Sequence, residues 1–130
     1  VANKLCADRP NEITRVSLIR AKFCELLAEA FKMKEKDNEL FLIGLFSVID
    51  LILNLPMEEA LKLIYLPKEI ISALEGDDSK LSMALNFAKE YEKANWEEVS
   101  RIMVLEEIPT DVVYNAYVEA LGWYGKLFDK

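Results

Sequence analysis

The sequence contains no histidine. That absence removes the side chain that changes charge near neutral pH and the commonest metal ligand. With it go Ser–His and Cys–His nucleophile pairs and any His–carboxylate hydrolytic centre. Glycine and proline are sparse, four of each, so interruptions of regular structure are few and each one is informative. No Gly-rich phosphate loop is present. Cysteine occurs only at Cys6 and Cys24, outside any CxxC pair and behind no signal-peptide pattern. Both are expected to be reduced intracellular thiols, which points to a cytoplasmic chain. Cations are outnumbered, 16 Lys and Arg against 23 Asp and Glu for a net charge of −7. Such a balance excludes a nucleic-acid partner, whose phosphates are held chiefly by clustered Lys and Arg. Val1 in place of an initiator Met is expected of a fragment or a trimmed chain.

What is present is helix-period patterning. A chain of 130 residues is one domain by length and can bury roughly two-thirds of its unfolded surface without staples. The apolar spacing predicts an all-α fold, a compact bundle of about seven helices with no sheet. The first runs from Asn11 to Lys32, and the second from a cap at Asp37 or Asn38 to Leu55. Pro56 and Pro67 open two short helices, Met57–Ile64 and Lys68–Glu75, the latter closed by Gly76. Ser79–Ala94, Trp96–Leu105 and a last helix from Pro109-Thr110 to Phe128 complete the set. No internal repeat, low-complexity linker or inner domain boundary is visible.

Three helices carry features worth isolating. The second is apolar nearly all round, its polar residues Glu39, Ser47, Asp50 and Asn54 confined to one stripe. A central core helix is expected rather than a membrane span, because the stretch is short, holds Asp50 and lacks interfacial anchors. In the first helix, Ile13, Val16, Phe23, Cys24, Leu27 and Phe31 share a face, and Arg20 falls inside it. A buried guanidinium requires a partner, and Asp50 is the first-choice carboxylate; an anion-binding Arg20 is the functional alternative. In the last helix Tyr114, Tyr117, Leu121, Tyr124 and Phe128 share a face, with Trp123 nearly opposite. One face must pack on the fifth and sixth helices. The other is either buried too or open as a docking surface.

Several strings carry no chemistry. Glu59-Ala60-Leu61 and Glu119-Ala120-Leu121 spell a phosphodiesterase signature, but both sit in helices without a preceding strand or an acidic ligand set. Gly76-Asp77-Asp78 reads as a helix stop followed by the next cap, and the oxygen ligands of a calcium loop are not at the required spacing. No metal site and no cofactor are expected.

Four ordered blocks resemble one family. Arg20-Ala21-Lys22-Phe23-Cys24-Glu25, preceded by Asp8-Arg9-Pro10-Asn11-Glu12, is similar to the Arg-Ala-x-x-Cys-Glu block of the HD-related output domain, HDOD. Gly44-Leu45-Phe46-Ser47-Val48-Ile49-Asp50 resembles its Gly-Leu-Phe-Ser-x-x-Asp helix. Pro56-Met57 and Tyr91-Glu92-Lys93-Ala94-Asn95-Trp96 resemble its next two steps, and Tyr117 to Trp123 resembles its closing helix. The resemblance covers nearly the whole chain, as the C-terminal part of such a domain. The Phe-Ser-x-x-Asp version resembles the branch that follows an EAL-type cyclic di-GMP phosphodiesterase domain in bacterial signalling proteins. Metal-dependent relatives place a His-Asp pair where Ser47 and Val48 stand. Valine cannot ligate a metal, and neutral serine is a poor ligand.

Two functions follow as expectations. The first is a non-catalytic signalling module that acts through contacts with a protein partner or with an upstream domain of the same polypeptide, linked to cyclic di-GMP; a homodimer stays open. The second is a degenerate nucleotide- or anion-binding pocket in which Arg20, Asp50 and Glu25 converge. The acidic net charge disfavours it, since an anion would approach against the global field.

Overall fold

The computed structural model describes residues 12–127. Cys6, the Asp8–Asn11 segment and Phe128, invoked above, lie outside the described residues. Eight α-helices and no strand occur among the described residues. They are α1 Glu12–Ala30, α2 Asp37–Phe46, α3 Ile49–Leu53, α4 Met57–Leu61, α5 Lys68–Leu74, α6 Lys80–Glu92, α7 Trp96–Glu106 and α8 Thr110–Leu127, with a 3₁₀ turn at Lys34–Lys36. The all-α class is as expected. No helix among the described residues is long and apolar enough to cross a membrane.

The expected second helix is two helices, α2 and α3. Ser47 causes the break: its hydroxyl donates to the Gly44 carbonyl at 2.7 Å, and its backbone N–H turns to the same oxygen at 3.3 Å. This local bonding competes with the i−4 ladder, and Val48 leaves the helical region at φ −115°, ψ 16°. Nor is this segment the central one. After the break, Leu51 and Ile52 are more than half exposed. The centre belongs to α1, where Ser17, Ile19, Ala21, Phe23, Cys24, Leu27 and Ala28 are buried on several sides. It packs on α2, α6 and α8.

The tightest crossing is between α1 and α2, and glycine makes it. A Cβ added at Gly44 would lie 2.7 Å from the Ala21 Cα and 2.7 Å from the Arg20 carbonyl oxygen. Only a residue without a side chain admits that approach. Beside it the Ser17 hydroxyl donates to the Leu45 carbonyl at 2.7 Å, tying the two helices across the same crossing.

Proline and the polar caps sit close to where the sequence places them. Pro56 and Pro67 occupy the N-cap positions of α4 and α5, and the Ser79 side chain caps α6 by accepting from the Ser82 N–H. Gly76 takes φ 87° just past α5. Elsewhere non-glycine residues fill the left-handed position: Lys32, Asn54, Ala94 and Glu107 all lie near φ 60°. A β-carbon there is unfavourable, and glycine is the natural occupant. Ala94→Gly, at an exposed site, is therefore expected to stabilise the chain by about 0.5–1 kcal/mol, reduced from the full steric relief by glycine's extra freedom when unfolded. A urea midpoint that falls in this variant would contradict the reading.

The last helix packs chiefly on α1, not on the fifth and sixth expected helices. Val113, Ala116 and Ala120 are its buried residues. The small alanines set the closest approach and turn the tyrosine stripe partly aside: Tyr117 and Tyr124 pack against the core, whereas Tyr114 is 59% exposed.

Candidate functional site

The site grows from the third turn of α1, where the sequence places a charge on an apolar face. Arg20 is indeed largely covered, its side chain 12% exposed, and its partner Glu92 on the last turn of α6 is 20% exposed. The expected partner was Asp50; the structure corrects this to Glu92. The guanidinium meets the carboxylate side-on, with Nε to Oε2 at 3.0 Å and Nη2 to Oε1 at 2.6 Å. This two-point geometry satisfies both partners while they are desolvated. The remaining edge is used as well: Nη1 donates to the Ser47 hydroxyl oxygen at 2.9 Å. Since the Ser47 proton points to the Gly44 carbonyl, its lone pairs are free to accept from Arg20. One network therefore joins α1, α6 and the α2–α3 break. Ser47, at the position where the resemblance implies a metal-ligating histidine, acts as a hydrogen-bond relay.

Asp50 is nevertheless nearby. It lines a concavity of about 400 Å³ with Val16, Arg20, Ser47 and Lys89. Lys89, one turn before Glu92 on α6, is a residue the sequence reading did not single out. Burial, and then the Arg20 charge, hold its ammonium below its ordinary pKa, while Asp50 and Glu92 act in the opposite direction. Glu25 does not join this group. It forms an ion pair with Lys22 at 3.2 Å, and the Lys22 ammonium in turn lies 5.5 Å above the Trp123 ring. Arg20 and Asp50 are thus brought to one concavity and Glu25 is not. Among the described residues no three His, Cys, Asp or Glu side chains are grouped so that they could hold a metal ion.

Cys24 stands one turn beyond Arg20 and is completely buried. Burial first, then the Glu92 carboxylate, push its thiol up to about 12. A thiolate is the reactive form, so the native thiol is expected to be inert. In a Cys6→Ser variant, Ellman's reagent should release no chromophore from the folded chain at pH 8 and one equivalent after denaturation. Rapid release from the folded chain would contradict the burial.

The proposed docking residues divide. Tyr117 belongs to an inner aromatic cluster: its ring is 5.1 Å from Phe23 and 5.2 Å from Tyr91. Trp123 is half-buried, its ring perpendicular to that of Phe41 with centroids 6.1 Å apart, and Tyr124 packs on the core. Only Tyr114 of the four is largely exposed. Trp96, expected only to open a helix and to end the Tyr91–Trp96 block, is 55% exposed, with its ring centroid 5.4 Å from that of Tyr91. With Tyr114 it borders an apolar groove of about 810 Å³ between α7 and α8.

No family model matches the chain, and no solved structure matches it. Two curated proteins do. The chain is 35% identical over 119 residues, 92% of its length, to the uncharacterized protein YuxH of Bacillus subtilis (strain 168). It is 30% identical over 123 residues, 95% of its length, to the cyclic di-GMP phosphodiesterase CdgJ of Vibrio cholerae serotype O1. The chain spans 28% of the length of each of these relatives.

Proposed function

We propose that this chain is a non-catalytic, HDOD-like regulatory module of a longer bacterial protein in cyclic di-GMP signalling, acting through protein contacts. Similarity over 95% of its length to part of a protein named a cyclic di-GMP phosphodiesterase supports the signalling theme. The observation that carries the non-catalytic reading is the Arg20 network. In the Arg20–Glu92–Ser47 network each of the three guanidinium nitrogens already donates one hydrogen bond to a protein oxygen. That engagement supports a structural role for Arg20, since a catalytic or anion-binding arginine presents its donors chiefly to a reacting group or ligand. Here the network locks α1, α6 and the α2–α3 break into one body, which suits a module whose exposed faces make the contacts.

The 130-residue chain alone, supplied with Mg²⁺ or Mn²⁺, is expected to leave cyclic di-GMP unhydrolysed above the buffer rate. Turnover that survives repurification and is lost in Arg20→Met would overturn the non-catalytic reading.

A further inference from the structure

α7 packs on α6, whereas α8 packs on α1. From the turn at Glu107–Pro109 the two helices therefore frame a groove between them. Tyr91, Val99, Met103 and Val113 contribute to its lining, and Trp96 and Tyr114 stand at its border. Its upper wall is unusually apolar for a solvent-facing surface: Val104 is 76% and Trp96 55% exposed. Apolar surface rimmed by polar groups marks a contact site rather than ordinary surface.

The rim fixes the sign of what fits. Glu107 lines the groove at the turn, and Glu97 and Asp111 each directly follow a lining residue, Trp96 and Thr110, in the first turns of α7 and α8. None of these three carboxylates forms an ion pair among the described residues. The cation on α7, Arg101, is held by Glu98 at 2.6 Å. A second copy of a chain of net charge −7 would bring like charge to this rim, and so would an anionic membrane surface. The length is set by α7, whose 11 residues span about 16 Å, or three turns of a docked helix. Met103 supplies the adaptable thioether common at grooves that accept helices.

From these features we infer that the α7–α8 groove docks an amphipathic helix of a partner protein, its apolar face flanked by Lys or Arg. The inference rests on the reading that the chain acts through protein contacts and names the surface and the partner's chemistry. Apolar side chains of the partner at i, i+3 and i+7 enter between Trp96 and Tyr114, and its cations meet Glu97, Glu107 and Asp111.

The probe is a synthetic amphipathic peptide of about 18 residues built from Leu and Lys, titrated into the chain carrying Trp123→Phe, so that Trp96 is the sole indole. A saturable blue shift of Trp96 emission is expected, with affinity falling as salt rises. Val104→Arg should weaken binding at least tenfold, while Leu63→Ser, in a separate exposed apolar region, should leave Kd within twofold. Equal weakening by Leu63→Ser, or none by Val104→Arg, overturns the assignment, and so does equally tight binding of a Leu/Glu peptide. Sedimentation showing a dimer that Val104→Arg dissociates would also overturn it, in favour of a second copy. Circular dichroism of each variant guards against misfolding. Absence of binding removes this groove assignment alone. The underlying reading is decided separately, by the hydrolysis rates of the longer polypeptide.

Discussion

Gly44→Ala is expected to destabilise the chain by about 2–3 kcal/mol, although alanine is the better helix former. The propensity gain is about 1 kcal/mol. Opposing it, the new methyl would lie 2.7 Å from the Ala21 Cα and the Arg20 carbonyl oxygen, backbone atoms that no rotamer change can move. Helices α1 and α2 would have to separate, at an overpacking cost of roughly 3 kcal/mol or more. Separation also stretches the Ser17–Leu45 hydrogen bond and the Arg20–Ser47 contact, which span the same interface. Urea unfolding followed by far-UV circular dichroism checks the sign. A midpoint equal to or above that of the parent chain would show that the crossing is looser than described.

The second large effect concerns the Arg20–Glu92 pair. Glu92→Ala should cost about 3 kcal/mol, the low end for breaking a buried pair because both side chains keep some solvent. Its side chain is 20% exposed and that of Arg20 12%. The loss comes from stranding a covered guanidinium that retains only Ser47, not from the net attraction of the pair. The double variant Arg20→Met/Glu92→Leu should therefore recover most of the stability, since an apolar pair of similar volume requires no desolvation of charge. Additive losses in the double variant would contradict this account and give Arg20 another partner. Asp50, which lines the concavity beside Arg20, serves as the control: Asp50→Asn should shift the midpoint much less than Glu92→Ala.

Much of the helical architecture was legible because few residues interrupt it. Pro56, Pro67, Ser79 and Gly76 act at helix boundaries where local backbone chemistry requires them, and those boundaries fall within a few residues of expectation. The Ser47 break was not legible. A serine inside an otherwise apolar helix reads as a polar stripe, and only the paired bonds to Gly44 and from Arg20 show why the helix ends there. Burial of Arg20 was legible from helical arithmetic. Its partner was not, because Glu92 lies 72 positions away in a helix whose rotation no local pattern fixes. Asp50, the expected partner, lines the same concavity as Arg20 but is not the carboxylate that binds it. On α8, the spacing of the aromatics left open which face is buried; the alanines Ala116 and Ala120, which permit close approach to α1, mark it. Trp96 was legible as a helix start and as the end of the Tyr91–Trp96 block, but its place at a groove was not. At a helix start it follows no face periodicity, and its role at the groove depends on how α7 and α8 are placed by different neighbours.

The claim that the chain regulates rather than catalyses is tested most directly by one comparison of rates. Cyclic di-GMP hydrolysis is measured for a polypeptide in which this chain is joined to a cyclic di-GMP phosphodiesterase domain, and for the same polypeptide with the chain removed. The account predicts that removal leaves a working hydrolase whose kcat/KM is changed several-fold, because contacts from the module bias the enzyme without supplying chemistry. Identical kcat/KM with and without the chain would contradict a regulatory role. Complete loss of turnover in a hydrolase that remains folded and binds its substrate would contradict the non-catalytic one.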